Sequence, residues 1–149
     1  MFVYDNMSII ISNLYLGGFL DAQNYEQYDV IISICPLNEI LNIENKLHYI
    51  IDINDNSDDD MLIYFNGITK IIHDYLWQNK KILVHCATGT SCSAIIAMAY
   101  LMRYQYASLN FAYYRVKARR CFINPKLTFI KQLNQYETIL NENHTIERC

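Results

Sequence analysis

Residues Ser93–Tyr104 constrain the fold most, because they are apolar nearly all round. A helix without a polar face must be covered on every side, so it lies at the centre of a domain or crosses a bilayer. Its apolar run, Ala94–Met102, is about half of what spans a bilayer, which leaves the central position. The segment ahead of it, Lys81–His85, reads as a buried strand, and so do Val30–Ile34 (stopped by Pro36) and His48–Ile53. Ile9–Ile11 and Leu14–Leu16, closed by Gly17-Gly18, form a candidate edge hairpin. None of these runs alternates cleanly, the pattern of strands covered on both faces. Leu62, Phe65, Ile68, Ile72 and Leu76 recur at helical steps, and Ser108 is placed to cap a helix over 109–120. Pro125 fits the first turn of a last helix carrying Leu127, Ile130, Leu133 and Leu140, and the polar tail 141–149 is expected to fray. The expectation is one domain over residues 1–149, of α/β class, with a central mostly parallel sheet flanked by helices on both faces.

Charge and cysteine usage narrow the function. Twelve basic against fifteen acidic residues give a net charge of -3, which argues against nucleic acid as a partner. The five cysteines, at 35, 86, 92, 121 and 149, are odd in number and lack disulfide-framework or zinc-site spacing. A reducing, intracellular (cytoplasmic) location is therefore expected, with no metal. No basic-then-apolar leader and no membrane segment is read from the sequence. Abundant Asn, Ile, Tyr and Lys suggest an AT-rich coding genome, such as that of a virus or a protist.

The chemistry concentrates in Val84-His85-Cys86-Ala87-Thr88-Gly89-Thr90-Ser91-Cys92-Ser93. This segment leaves a buried strand, turns through small residues and enters the buried helix. Successive backbone N–H groups in such a loop form an anion nest, and the helix N-terminus adds unpaired donors and its positive dipole end. A cysteine at the start of the loop sits in that field, which stabilises its thiolate. Taken alone, Cys86 also fits a small core residue at a strand end. The neighbouring His85, the glycine three residues on and the serine entering the helix favour a nucleophile for a bound phosphate monoester.

The segment resembles the signature loop of the cysteine-dependent protein phosphatases, His-Cys-x-x-Gly-x-x-Arg-Ser/Thr, matching at His85, Cys86, Gly89 and Ser93. Asn13-Leu14-Tyr15-Leu16-Gly17, Ala99-Tyr100-Leu101-Met102, Val116 with Arg120, Asn124-Pro125 and Gln132-Leu133 extend the resemblance to the compact dual-specificity subgroup, including its poxvirus-type members. The resemblance implies a nucleophile at Cys86, a phosphate-binding loop over residues 86–92 and a loop-orienting role for His85. It also implies a hydroxyl at Ser93 that assists thiolate departure, and no cofactor. It places the general acid at Asp55, with Asp52 as the fallback. Asp58–Asp60 read as an acidic helix start.

One position departs from the pattern, since Cys92 stands where the family has its arginine. That arginine forks two charge-assisted hydrogen bonds onto the phosphoryl group. Losing both costs roughly 3–6 kcal/mol, or about 10²–10⁴ in rate. The expected protein is a catalytically impaired homologue, a pseudophosphatase, that binds a phosphoprotein or another protein partner, as a monomer. Two alternatives stand beside it. One is a slow but genuine phosphatase in which Arg115, Lys117, Arg119 or Arg120 supplies charge, although these bases read as a solvated helix face. The other is a redox-responsive protein in which Cys86 pairs with Cys92 or with Cys35, the position of a resolving cysteine in some phosphatases of this fold. An RNA 5′-triphosphatase is disfavoured by the acidic balance.

Overall fold

A computed structural model of the chain describes residues 7–53 and 59–147. Five strands form one sheet among the described residues: β1 (Ser8–Ile11), β2 (Leu14–Gly17), β3 (Val30–Ile34), β4 (Leu47–Ile51) and β5 (Ile82–His85). Their spatial order is β1-β2-β5-β3-β4. β1 and β2 are the expected antiparallel hairpin, and every other pairing is parallel. The helices are α1 (Phe19–Ala22), α2 (Leu62–Trp77), α3 (Cys92–Tyr104), α4 (Leu109–Arg119) and α5 (Leu127–Glu147).

The period of two along β3 and β5 divides the core. Val30, Ile32, Ile34, Ile82 and Val84 face the large cluster built with α2, α3, α4 and α5. Ile31 and Leu83 face the other way, onto Ala22 and Tyr28, with Tyr15, Leu41 and Ile43 around them. The sheet is thus covered on both faces, but unequally. One face carries four helices, while the other carries the four-residue α1 and loops.

α3 lies at the centre, with every residue from Cys92 to Met102 buried. Burying Ile95, Ile96, Met98, Leu101 and Met102 is worth roughly 1.5–3 kcal/mol each before ordering entropy is subtracted. That anchorage fixes the helix start, and hence the loop that feeds it. Ser108 caps α4 as its sequence position suggested, its Oγ accepting the Phe111 N–H at 3.1 Å. Just before α2, whose N-cap is Met61, Asp60 Oδ1 accepts the Leu62 N–H at 2.9 Å.

Three local expectations change. The tail does not fray at residue 141, because Tyr136, Leu140 and His144 extend the packed stripe and carry α5 to Glu147. β4 is half exposed rather than covered on both faces, because it is the sheet edge. Pro125 lies two residues before α5 and not in its first turn, because the backbone around it is drawn to the loop before α3. There the Asn124 N–H donates to the Thr90 carbonyl at 2.8 Å, and the Lys126 N–H donates to Ser91 Oγ at 3.1 Å.

The end of α3 holds a strained residue. Tyr106, just past its C-cap, has φ of 55° with its side chain 76% exposed. A side chain in the left-handed region costs about 1–2 kcal/mol, whereas glycine there loses about 0.4–1 kcal/mol through the entropy of the unfolded chain. Tyr106→Gly is therefore expected to raise the denaturant midpoint, stabilising the fold by about 0.5–1 kcal/mol even after loss of the ring contact with His144. A destabilised Tyr106→Gly in urea melts contradicts this reading.

Candidate functional site

β5 lies in the middle of the sheet, between β2 and β3, and ends at His85. Cys86 follows at the carboxyl end of the parallel strands, and the chain turns through residues 86–91 before α3 begins at Cys92. The loop's carbonyls are tied off outward. The Ala87 carbonyl accepts the Phe19 N–H at 3.1 Å, and the Thr90 carbonyl accepts the Asn124 N–H. The Gly89 carbonyl accepts Nε–H of Arg120 at 2.7 Å. In a trans peptide the N–H opposes the carbonyl, so these ties set the direction of the Thr88, Thr90 and Ser91 N–H groups, of which Thr90 N–H donates to Thr88 Oγ1 at 3.3 Å. Gly89 N–H donates to Cys86 Sγ at 3.2 Å, as an inward-facing nest requires. Thr88 and Thr90 join their hydroxyls at 2.6 Å on the exposed side.

Gly89 is the loop residue that only glycine fits. Its φ is 69°, and a Cβ there would lie 2.5 Å from Nη2 of Arg120 and 2.6 Å from the Gly17 carbonyl carbon. Gly17-Gly18, read from sequence as a hairpin closure, is thus also the floor against which the loop packs. A Cβ on Gly18 would stand 3.1 Å from the Thr88 carbonyl. The Gly18 N–H is itself held by Asp21 Oδ2 at 2.7 Å.

Arg120 differs most from its sequence reading. Arg119 is exposed and Arg115 and Lys117 are half-buried, but Arg120 is 2% exposed. Besides the Gly89 carbonyl it reaches Ser8 Oγ at 3.2 Å, and its guanidinium lies 4.4 Å from the Phe122 ring centroid. Burial pushes its pKa down, while Asp21 and an anionic Cys86 favour its charged form. A buried cation therefore stands behind the loop, from an element 31 residues downstream. Its signal in the sequence was the conjunction of Val116 with Arg120 four residues on, which by itself does not distinguish a buried from a solvated arginine.

Around Cys86 the structure assembles three of the expected groups. Ser93, fully buried, places Oγ 3.3 Å from Cys86 Sγ. His85, 1% exposed, places Nε2 2.6 Å from Ser33 Oγ, and Ser33 Oγ is 2.7 Å from Nε2 of His48. Cys35 lines the same cavity as Cys86, a half-open pocket of about 320 Å³ completed by Phe19, Glu39, His85 and Ala87. Burial pushes the Cys35 thiol up, and Glu39, Asp52 and Cys86 add to the effect. Cys92 is buried in the main core and does not line this cavity. Asp55 lies outside the described residues. Asp52 is exposed, and its Oδ1 accepts the Leu37 N–H at 3.2 Å. No helix among the described residues is long and apolar enough to cross a membrane.

Comparison with known proteins follows the same residues. Residues 14–139 match the family model described as dual specificity phosphatase, catalytic domain. The chain is 36% identical over 138 residues to the putative tyrosine phosphatase 123R of Invertebrate iridescent virus 6, covering 91% of this chain and 95% of that protein. It is 31% identical over 151 residues to the tyrosine-protein phosphatase vhp-1 of Caenorhabditis elegans, covering 96% of this chain but only 23% of that longer protein. Among solved structures, human tyrosine phosphatase-like serine/threonine/tyrosine-interacting protein superposes with a TM-score of 0.80 at 29% identity, over 89% of this chain and 96% of that one.

The buried imidazole of His85 couples the site to pH. Burial pushes its pKa down from 6.5 to about 4, and His48 adds to the shift. The unfolded chain therefore holds this proton more tightly than the fold does. The contribution is whole above pH 6.5 and is lost as the pH falls toward 4, by about 3 kcal/mol in total. Chemical denaturation between pH 4 and 7 is expected to show this loss. His85→Asn should flatten it while leaving the carboxylate contributions in place, and an unchanged slope in that variant rejects the assignment.

Proposed function

The chain belongs to the dual-specificity phosphatase family, and on that premise we propose that it is a catalytically impaired member that retains the phosphate-binding loop. It acts by holding a phosphoprotein or another protein partner. The observation that carries this reading is Cys92. The family resemblance puts the phosphate-binding arginine there, and in this chain the position is a short thiol side chain buried in the core. A thiol offers no planar fork and no positive charge to a phosphoryl group.

What remains supports binding more than turnover. The nucleophile position Cys86, the hydroxyl of Ser93 and the turned N–H groups persist, and together they suit an oxyanion. The slow-phosphatase alternative rests on Arg120, the one base of the α4 segment that is buried beside the loop. Its Nε–H is already committed to the Gly89 carbonyl. A guanidinium that braces the loop from behind is poorly placed to fork onto a phosphoryl group at the same time. Asp55 is proposed as the general acid, a role idle without the arginine. The functional unit is proposed to be a single domain over residues 1–149, monomeric and intracellular.

Restoring the arginine tests this. Wild-type turnover of p-nitrophenyl phosphate should be near background, and Cys92→Arg should raise it by about 10²–10⁴, the value of the two lost charge-assisted bonds. The gain should vanish when Cys86→Ser is added, and a thermal melt shows whether Cys92→Arg is folded. Wild-type turnover that already depends on Cys86 and matches Cys92→Arg overturns the proposal in favour of a working phosphatase.

A second reading is favoured by the shared cavity of Cys35 and Cys86. Peroxide oxidises the Cys86 thiolate to a sulfenic acid, and Cys35 sulfur then attacks it, forming the disulfide and releasing water. Peptide mapping after peroxide treatment should find Cys35 joined to Cys86. A sulfinic acid on Cys86 with no crosslink removes this reading.

A further inference from the structure

The contact between Ser33 and His85 does not stop at two residues. β3 and β5 are in parallel register with Ser33 beside His85, while Ile31 pairs with His48 across to β4. Ser33 and His48 therefore stand on the same face of the sheet, one same-face step apart. Ser33 Oγ lies between two imidazole nitrogens, 2.6 Å from Nε2 of His85 and 2.7 Å from Nε2 of His48. A hydroxyl has one proton, so it donates to one ring and accepts from the other.

Two directions are open. In one, His85 donates from Nε2 and leaves Nδ1 bare. In the other, His48 donates from Nε2 to Ser33, Ser33 donates to Nε2 of His85, and the His85 proton sits on Nδ1. His85 Nδ1 is buried and makes no hydrogen bond of good geometry, so the choice turns on what lies beside the ring. The Cys86 backbone is close enough to favour a proton on the ring, and Nε2 is already taken by Ser33. The second direction leaves Nε2 accepting from Ser33 and places the ring proton on Nδ1, the nitrogen Ser33 does not engage.

From this geometry we propose that Ser33 and His48 are positioning residues that fix His85 in its Nδ1–H tautomer and hold the ring in one orientation beside Cys86. The device runs across three strands, from the half-exposed edge strand β4 to the nucleophile position. His48 reaches the loop only through Ser33 and His85, and touches neither substrate nor Cys86. The inference rests on the reading of residues 86–92 as an oxyanion-binding loop, but the tautomer itself is independent of it.

The experiment separates the two. Nitrogen-15 NMR of the imidazole groups at neutral pH reports which nitrogen of His85 carries the proton, and inorganic vanadate titration reports the loop. In the wild type His85 should show a protonated Nδ1 and an acceptor Nε2. Ser33→Ala and His48→Phe should give a mixture of tautomers and about five-fold weaker vanadate binding, the effect of one neutral hydrogen bond. Ser33→Thr and His48→Gln keep the hydroxyl and the donor, and should restore both signals toward wild type. Amide spectra show which variants are folded. Nε2–H on His85 in the wild type, or an unchanged tautomer in folded Ser33→Ala and His48→Phe, overturns the relay. Wild-type protein that binds no vanadate but keeps the expected tautomer refutes the oxyanion-loop reading and leaves the relay standing.

Discussion

The bond from Arg120 Nε–H to the Gly89 carbonyl is the contact on which the site depends. It fixes the peptide at the one loop residue with positive φ, and it pins that residue against Gly17. With the outward ties at Ala87 and Thr90 it determines which way the loop's donors face. A buried guanidinium is costly to desolvate, and removing its partners would leave an uncompensated charge. The fold answers with Asp21, the Gly89 carbonyl, Ser8 and the face of Phe122 around one side chain. Loop shape is thus maintained by a charge that comes from outside the loop.

That separation explains how the loop can keep its form when a residue within it changes. Scaffold and chemistry draw on different side chains. The anchorage of α3 is apolar and the ties on the carbonyls are backbone bonds, so neither requires the side chain at position 92 to reach solvent. A thiol of modest volume fills the first turn of a fully buried helix without asking for a hydrogen-bond fork. The shape of the loop therefore does not depend on the side chain at position 92.

The parts of the structure legible in the sequence are those written in local pattern. The all-round apolar run gave α3 its central place, Ser108 announced the cap of α4, and the residues from Val84 to Ser93 located the strand-loop-helix unit. What was not legible depends on register and on long-range approach. Ser33, His48 and His85 meet only because three parallel strands bring them to one face, over separations of 15 and 52 residues. Gly17-Gly18 reads as a turn until a second segment is seen lying on it. Arg120 reads as one more base on a helix until its burial is known, and Asp55 falls in the stretch outside the described residues. The exposure of β4 and the length of α5 follow from edge position and from packing, which short windows do not encode.

The loop's last supports arrive late in the chain. Arg120 and Asn124 are made long after Cys86, and the short α1 that holds the Ala87 carbonyl comes from the other end. During synthesis, a nascent chain that has released β5 and α3 from the ribosome still lacks the contacts that turn the loop's amides inward. The loop at Cys86 therefore takes its final shape only after residues 120 and 124 have been made, so its closure follows the synthesis of the central helix and does not lead it.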